Sequence, residues 1–378
     1  MMGHVNEDNL PDGEGDEGRG ESFSLDELRV AIDRVDRQLI ALLNERARVV
    51  VEVGKVKRGD GTPIYAPHRE QAVLAKVLRM NDGPLTDRTV EAVYRELMSG
   101  SFALELPLRV GYLGPRGSFS HMAAVRHFGS SVDHLDLGSI EGVFREVAGG
   151  HLNYGLVPYE NSTMGSITDT LDAFQEFDVV IYAETLVEIN HHLMAGCSPE
   201  EICEIHSKPQ IFEQCRDWIL NHFPKAELVP ERSSAAAVQL AGEKAGVGAI
   251  GSEFAGEIYG LSTLFEHIED HPNNITRFLV IGTQEAEVTG DDKTTIMFTT
   301  AHKPGALVDV LNVFRERGIN LSHIEKRPSR RTNWDYTFFI DCDAHQKDEG
   351  MSAAIEDARA HCESLQVLGS YPRGKRIL

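Results

Sequence analysis

A heptad pattern of apolar residues near the amino terminus constrains the fold more than any other feature of the chain. Apolar residues follow one another at alternating steps of four and three, at Leu28, Ile32, Val35, Leu39, Leu42, Val49, Val53 and Val56. This spacing predicts one long helix that packs against other helices as in a coiled coil. Residue 46, inside the seam, is arginine, and an unpaired guanidinium there is costly. Arg46 must therefore meet an anion, either a carboxylate of a neighbouring helix or an anionic ligand.

The chain has 378 residues, a length typical of two or three domains. We predict a disordered acidic tail over residues 1–22 and an all-α domain over 23–106. Short β-like runs alternate with helical stretches over 107–285, which indicates an α/β domain. Residues 294–373 follow the order strand, helix, strand, strand, helix, strand, and this βαββαβ order is typical of a ferredoxin-like unit.

Charge and composition exclude several classes of partner. The formal net charge is −22, so we expect neither nucleic acid nor a membrane as a partner. The five cysteines lack C-x-x-C spacing and the amino terminus has no secretory signal, which predicts a cytoplasmic protein without a disulfide framework. His191 and His192 are neighbours on a predicted strand and face opposite sides, so we expect no metal site there.

Charged residues of the helical part predict a site shared between two subunits. Arg29 and Lys57 lie near opposite ends of the first helix, about 40 Å apart at its usual rise per residue. A small ligand cannot touch both in one chain, whereas an antiparallel partner chain would bring Arg29 to the far end. Ser101 and Glu105 lie four residues apart on one face of the third predicted helix. Taken alone, each of these is more often a solvated surface residue.

Three motifs span nearly all of residues 24–105: L-R-x-x-I-D-x-x-D-x-x-L-I-x-L-L-x-E-R, V-E-V-G-K-x-K and P-I-Y-A-P-H-R-E. In spacing and residue type they resemble the all-helical chorismate mutases. The resemblance implies a chorismate site formed by Arg29 of the partner subunit with Arg46, Lys57, Ala66, Arg69, Glu70, Ser101 and Glu105.

The rearrangement of chorismate explains why such a site is cationic. It needs no nucleophile and no proton transfer, only a compact substrate and donors where negative charge grows on the ether oxygen. The resemblance implies that Arg46 and Lys57 hold the carboxylates and this oxygen, that Arg69 supports the anion and that Glu70 accepts from the ring hydroxyl. We count Glu105 among the catalytic residues and hypothesise that it acts protonated, because an ionised carboxylate would repel the developing oxyanion.

Four loop phrases stand out in the middle region: G-Y-L-G-P-R-G-S-F-S (111–120), P-Y-E-N-S (158–162), H-S-K-P-Q-I-F-E-Q-C (206–215) and N-I-T-R-F (274–278). The first has the spacing G-x-x-G-x-x-G, which does not fit a dinucleotide-binding loop. Together the phrases resemble the prephenate dehydratases, which fold as two α/β lobes around a cleft, like periplasmic binding proteins. The resemblance implies a prephenate site formed by Ser118, Glu160, Asn161, Ser162, Ser207, Gln214, Thr276, Arg277 and Phe278.

Three residues of this site have roles that chemistry suggests. In the family the threonine of T-R-F, here Thr276, donates a hydrogen bond to the leaving hydroxyl, and this bond strengthens in the transition state. Arg277 is expected to bind a substrate carboxylate, and Phe278 to form an apolar wall.

The last part of the chain contains K-P-G-A-L-V (303–308) and I-E-K-R-P (324–328), phrases that resemble those of ACT domains, which sense amino acids. The resemblance implies a phenylalanine site formed by Gly305, Ala306, Leu307, Glu325 and Arg327. Relatives that bind phenylalanine have serine where this chain has Lys326, which bears on the strength of inhibition. A dimerisation unit without a ligand is the alternative.

We therefore predict a bifunctional enzyme of phenylalanine biosynthesis that converts chorismate to prephenate and prephenate to phenylpyruvate. We expect feedback inhibition by phenylalanine, a homodimer or higher oligomer, and no cofactor or metal. Two alternatives stay open: an inactive sensor of aromatic ligands, and a dehydratase that prefers arogenate.

Overall fold

The computed structural model describes residues 23–60, 65–329, 335–375 and 377–378. The predicted disordered tail, residues 1–22, lies outside the described residues. The chain divides after Glu52 into two compact units, and the division falls within its first helix.

The first part of the chain is helical, as predicted, with α1 (Leu25–Asp60), α2 (Pro67–Arg79) and α3 (Asp87–Glu105). Acidic residues open α1 and basic residues close it, which complements the helix dipole. Pro67 occupies the first turn of α2, where a missing N–H costs nothing. The side chain of Thr86 caps α3 by accepting the N–H of Thr89.

The second part alternates strands and helices, as the pattern predicts. Its strands are β1 (Arg109–Leu113), β2 (Asp133–Leu137), β3 (Tyr154–Asn161), β4 (Gly165–Ser166), β5 (Val180–Glu188), β6 (His192–Ala195), β7 (Glu204–Ser207), β8 (Glu227–Pro230), β9 (Val247–Gly251), β10 (Ser262–Phe265) and β11 (Ile275–Gly282). Its helices are α4 (Phe119–Phe128), α5 (Ile140–Ala148), α6 (Thr168–Phe174), α7 (Pro209–Gln214), α8 (Arg216–His222), α9 (Ser234–Glu243) and α10 (Glu253–Tyr259), with a 3₁₀ turn at Pro199–Glu201. Serine side chains cap four of these helices, at Ser118, Ser139, Ser233 and Ser252.

Two sheets divide this part into two lobes. The first lobe has the strand order β2-β1-β3-β11-β5, with β4 beside β3, and the second has β10-β6-β9-β7-β8. The chain leaves the first lobe after β5 and returns to it in β11, which pairs antiparallel with both β3 and β5. The two crossing segments are hydrogen-bonded to each other, from Ile189 N to Asn274 O (2.8 Å) and from Ile268 N to His191 O (2.9 Å).

The third part has the predicted βαββαβ order: β12 (Asp292–Thr299), α11 (Ala306–Glu316), β13 (Leu321–Pro328), β14 (Tyr336–Cys342), α12 (Glu349–Arg359) and β15 (Ser364–Pro372). Its strands form an antiparallel sheet in the order β13-β14-β12-β15, here called the C-terminal sheet. The fold class predicted from sequence is thus confirmed for the described residues.

The C-terminal sheet packs on the first lobe. Phe339, Leu368 and Tyr371 join one apolar core with Ile181 and Leu279 of the first lobe. A glycine permits this close approach, because a Cβ on Gly369 would lie 2.3 Å from the carbonyl oxygen of Ile181. No described helix has a stretch long and apolar enough to cross a membrane.

We predict that Gly369→Ala separates these sheets and destabilises the protein by about 1–3 kcal/mol, the usual cost of overpacking. Urea unfolding measures the change. Gly350→Ala in α12 is the matched control, because its added methyl meets no described atom within 4 Å and alanine favours helix. Equal unfolding midpoints for the two variants would contradict the predicted clash.

Candidate active sites

The carboxyl end of α1 meets the end of α3 at a charged pair. A Cβ on Gly54 would lie 3.0 Å from the Glu105 Cα, so glycine lets the two helices approach closely. Lys57 Nζ lies 3.0 Å from Oε2 of the buried Glu105 carboxylate. Arg58, which the motifs did not single out, donates to the Glu105 carbonyl oxygen. The action of a protonated Glu105 in the rearrangement stays a prediction.

Three other predicted residues lie on α2 and α3. Ser101 is buried one turn before Glu105, and its Oγ donates to the Leu97 carbonyl oxygen at 2.7 Å. Ala66 is the N-cap of α2, and its carbonyl oxygen accepts the N–H of Arg69 and of Glu70. The Arg69 side chain is exposed. The predicted contacts of Ser101, Ala66 and Arg69 with chorismate stay predictions.

Arg29 and Arg46 belong to the amino-terminal unit. Arg29 is exposed, and its Nη1 lies 3.2 Å from Oδ1 of Asp26, three residues earlier on α1. Arg46 is half-buried. Their predicted roles also stay predictions.

Glu70 faces a cavity of about 140 Å³ that neither Lys57 nor Glu105 lines. Arg95 lines it too and pairs with Glu91 at 2.9 Å. Burial raises the pKa of Glu70 to about 8, although the nearby Arg95 acts in the opposite direction. Glu70 thus lines a cavity that Lys57 and Glu105 do not line, and its role toward chorismate stays a prediction.

We predict that ionisation of Glu70 destabilises the fold at alkaline pH. The Glu70 carboxyl has its ordinary pKa of 4.5 in the unfolded chain and a pKa of about 8 in the folded protein. Its protonated form therefore stabilises the fold, and this contribution to the unfolding free energy is lost as the pH rises from about 4.5 through about 8. Glu70→Gln should match the parent at pH 5 and exceed it by on the order of 1–3 kcal/mol at pH 8.5. Urea unfolding at both pH values measures this, with the exposed Asp82→Asn as the control. A parallel pH dependence in all three proteins would contradict the prediction.

In the first lobe, Asn161 and Thr276 lie side by side on neighbouring strands. They are directly opposite in the β3–β11 register, and both are buried. The Asn161 Oδ1 accepts the backbone N–H of Thr163 and of Met164, each at 3.0 Å. Because backbone N–H groups can only donate, these bonds fix the orientation of the Asn161 amide.

This orientation determines which way the Thr276 hydroxyl points its proton. Asn161 Nδ2 donates to Thr276 Oγ1 at 2.8 Å and to Asn274 Oδ1 at 2.7 Å. Since Thr276 Oγ1 accepts from Asn161, its own proton is available to another acceptor. The pair therefore presents a hydroxyl donor, as the predicted chemistry requires.

The cleft next to this pair is lined by both lobes. A cavity of about 190 Å³ lies between Thr163, Met164 and Asn274 of the first lobe and Gln210, Glu213, Gln214, Glu269 and His271 on the opposite side. Gln214 Oε1 accepts from His191 Nε2 at 2.8 Å. Burial lowers the pKa of His191, so the imidazole is neutral. Gln214 thus lines this cavity, and its role toward prephenate stays a prediction.

Two other predicted ligands lie on the opposite face of the sheet. Arg277 is directly opposite Glu160 in the strand register, and consecutive strand residues point to opposite faces. Arg277 therefore points away from Thr276, toward Glu184, Asp341 and Tyr371. The guanidinium is thus already bonded to these groups, and its predicted binding of a substrate carboxylate stays a prediction. Glu160 and Asn161 are likewise consecutive on β3, so their side chains point to opposite faces of the sheet.

Four further residues have structural contacts. Ser118 caps α4, and its Oγ donates to Leu113 O at 2.9 Å. Ser162 is exposed and its Oγ accepts the N–H of Ile275. Ser207 is fully buried and bonds to Ile250 O. Phe278 is 1% exposed and packs in the core of the first lobe, and its role as an apolar wall of the site stays a prediction.

Sequence reasoning missed two residues of this site. Asn274 lies two positions before Thr276, just ahead of β11, and accepts from the same Asn161 amide, a proximity that the alternation within N-I-T-R-F could have indicated. Thr163 donates from Oγ1 to Asn161 Oδ1 at 2.6 Å. Nothing in the sequence pattern points to Thr163, because it contacts Asn161 through a local turn.

We predict that Asn161→Asp reverses the Thr276 hydrogen bond. A carboxylate can only accept, so Thr276 would donate to residue 161 and withdraw its proton from the cleft. We expect dehydratase kcat to fall by about 10²–10³, the usual effect of losing one preorganised donor. Steady-state kinetics measure this. The control is Asn273→Asp, the same change at an exposed loop residue whose positive φ suits aspartate. Equal kcat values for both variants would contradict the assignment.

The C-terminal part has its own cavity, of about 170 Å³, beside the K-P-G-A-L-V phrase. Ala306 and Leu307 line it together with Lys303, Asp335 and Tyr336. Gly305, with φ +85°, caps α11 in the left-handed region that glycine tolerates best.

The I-E-K-R-P phrase forms most of β13, an edge strand. Arg327 makes two hydrogen bonds to Asp172 of α6, at 2.8 and 2.7 Å, instead of lining that cavity. Lys326 lies 4.8 Å from the centre of the Tyr336 ring. Glu325 is half-buried, and its Oε1 accepts the N–H of Lys326. The structure therefore places Ala306 and Leu307 at the cavity but not Arg327.

Among the described residues, no group of three histidine, cysteine or acidic side chains has the geometry of a metal site. His191 and His192 make separate contacts, with Gln214 and with the His267 ring.

Comparison with known proteins gives a consistent result. Three family models match: chorismate mutase type II over residues 28–106, prephenate dehydratase over 110–286 and the ACT domain over 294–360. A protein of Stutzerimonas stutzeri named bifunctional chorismate mutase/prephenate dehydratase is 44% identical, covering 93% of this chain and 99% of its own. A protein of the same name from Aquifex aeolicus is 39% identical, covering 92% and 98%.

Solved structures agree with the second and third parts of the fold. A prephenate dehydratase from Arthrobacter aurescens, crystallised with L-Phe, has a TM-score of 0.66 and 33% identity, covering 72% of this chain and 92% of its own. One from Staphylococcus aureus has a TM-score of 0.62 and 30% identity, covering 70% and 100%.

Proposed function

The chain belongs to the family of bifunctional chorismate mutase/prephenate dehydratases, and from this membership we propose that it carries out both reactions of that name, under feedback inhibition by phenylalanine. The helical part rearranges chorismate to prephenate. The two-lobed part converts prephenate to phenylpyruvate. The hydrogen-bonded pair of Asn161 and Thr276 beside the cleft carries the second assignment.

In the mutase reaction, Lys57 is the donor to the ether oxygen. Its ammonium lies at the contact of α1 and α3, partly buried, where a hydrogen bond to developing negative charge is stronger than in water. Chorismate competes with Glu105 for this ammonium. As the resemblance implies, Arg46 and Arg29 of the partner subunit hold the two carboxylates, an assignment that presupposes the predicted dimer.

The exposed seam of α1 supports the same dimer. Five seam residues are between 45% and 62% exposed, namely Leu28, Ile32, Val35, Leu39 and Leu42. An apolar stripe of this length is costly in water, and coiled-coil packing against a second copy would cover it. A homodimer, the cytoplasmic location and the domain limits 23–106, 107–285 and 294–373 stay predictions.

In the dehydratase reaction, the C–C bond to the ring carboxylate breaks and its electron pair enters the ring. The ring hydroxyl leaves as water, so that one proton is taken up and CO₂ and phenylpyruvate are formed. Thr276 donates a hydrogen bond to the departing oxygen, and Asn161 holds the hydroxyl in that direction. Aromatisation supplies the driving force, so no cofactor is required.

Phenylalanine is proposed to bind in the C-terminal part. The cavity beside Ala306 and Leu307, the left-handed Gly305 and the ACT match support this assignment. Because β13 bonds to α6 through Arg327 and Asp172, a ligand that moves this strand acts directly on the first lobe.

We predict that two single substitutions separate the activities. Lys57→Met should lower mutase kcat/KM by about 10³ or more and leave turnover of added prephenate unchanged, since it removes the charged donor to the ether oxygen. Thr276→Val should lower dehydratase kcat by about 10²–10³ while prephenate accumulates from chorismate. Each variant should keep the activity that the other loses, which shows that both proteins are folded. Spectrophotometric rates for both reactions, with and without phenylalanine, are the measurement.

The alternatives give different results. Binding of prephenate without turnover by the parent protein would favour the inactive sensor. A higher kcat/KM for arogenate than for prephenate would favour the arogenate dehydratase. Unchanged chorismate would contradict the mutase assignment.

A further inference from the structure

The residue next to Thr276 is the centre of a buried charged cluster. Arg277 donates from Nε to Glu184 Oε2 (2.7 Å), from Nη1 to Asp341 Oδ2 (2.6 Å) and from Nη2 to the Tyr371 hydroxyl (2.9 Å). Its guanidinium also lies 4.9 Å from the centre of the Tyr159 ring. Asp341 and Tyr371 belong to the C-terminal sheet. One side chain of β11 thus joins the first lobe to that sheet.

The hydrogen bonds of this cluster have one consistent direction. Asp341 Oδ1 can only accept, so Thr295 donates to it at 2.7 Å. Thr295 has one proton, so it accepts from Tyr371 at 2.6 Å, and the Tyr371 oxygen in turn accepts from Arg277. Burial alone would lower the pKa of Arg277, but Tyr371, Asp341 and Glu184 keep it above its ordinary value. The cluster is therefore fully paired and holds a single arrangement.

The register places this cluster directly behind the catalytic pair. Thr276 is opposite Asn161, and Arg277 is opposite Glu160. The Asn161–Thr276 pair lies on one face of the sheet, so Arg277 and Glu160 lie on the other. Glu160 Oε1 is also 3.6 Å from His323 of β13. Both members of the catalytic pair therefore have a neighbour in the chain that contacts the C-terminal sheet.

From this geometry we propose that Arg277 is a positioning residue that transmits displacement of the C-terminal sheet to the Thr276 hydroxyl, and so couples phenylalanine binding to dehydratase turnover. The proposal rests on the proposed function. A displacement of Asp341 and Tyr371 pulls on the guanidinium, and β11 changes its position relative to β3. The bond from Asn161 to Thr276 is then the first to lose its geometry, because it joins the same two strands. Arg277 does not bind substrate in this account.

The experiment compares Asp341→Asn with Asp343→Asn in the full chain. Both changes replace an aspartate by its amide, near the end of β14 and directly after it, but Asp343 pairs with the half-exposed Arg373 instead of Arg277. For Asp341→Asn we expect the phenylalanine concentration for half-inhibition to rise about tenfold, a typical allosteric coupling. The KM for prephenate and the mutase rate should stay within about twofold, because neither site is touched. Asp343→Asn should match the parent in all three quantities.

Arg277→Lys tests the rival role of a substrate ligand. A positioning role predicts a lower kcat, an unchanged KM and weaker inhibition. It also predicts that the effects of Arg277→Lys and Asp341→Asn do not add in the double variant, because both break one ion pair. A tenfold higher KM with unchanged inhibition would overturn the proposal. If Asp341→Asn loses mutase activity as well, Tyr371→Phe, which removes one hydroxyl, is the milder variant, with an expected rise in half-inhibition of about threefold.

A measurement without turnover separates this proposal from the proposed function. In the parent, phenylalanine should change hydrogen exchange of the backbone amides of residues 275–278, and in Asp341→Asn it should not. If phenylalanine leaves hydrogen exchange of these amides unchanged in the parent, or changes it equally in both proteins, the coupling is overturned. If the parent does not turn over prephenate, the dehydratase assignment is contradicted instead, whatever the exchange shows.

Discussion

The alternation of side chains along β11 is the constraint on which the rest of the structure depends. Thr276 and Arg277 are neighbours in the chain, yet a strand sends them to opposite faces. One face holds a hydroxyl donor beside a cleft, and the other a guanidinium under the C-terminal sheet. A buried guanidinium without partners would be too costly, so Glu184 and Asp341 have to accompany it. The packing of two sheets and the chemistry of the cleft are therefore set by one strand.

Much of the fold was predictable because it rests on periodic patterns. The heptad seam gave the length of α1, and alternating strands and helices indicated two successive architectures. The recognised motifs also contain Gln214, which lines the cleft, and Asn161, which is bonded to two residues that line it, although these positions lie far apart in the chain. Recognised phrases carry this information, because they mark the loops and strand ends where polar side chains converge.

The residues whose contacts differ from the predicted ones share one physical feature, which is the direction in which the side chain points. Arg277 was assigned to the substrate because it follows Thr276, and Arg327 to a ligand cavity because it lies in a recognised phrase. Each guanidinium instead pairs with a carboxylate of another element, Asp341 or Asp172, that is distant in sequence. Glu70 likewise lines a cavity together with Arg95, and Lys57 and Glu105 do not line that cavity. Such partners depend on how sheets and helices pack, and no local pattern encodes them.

The path of the chain between the lobes has a mechanical consequence. The second lobe is an excursion between β5 and β11, which are adjacent strands, and the two crossing segments are bonded to each other through Ile189 and Asn274. A double connection of this kind sets the place about which the lobes can rotate relative to each other. Thr276 follows directly after one of the crossings and so lies close to this hinge. In a rotation about it, Gln214 of the second lobe would sweep a larger arc than the Thr276 hydroxyl.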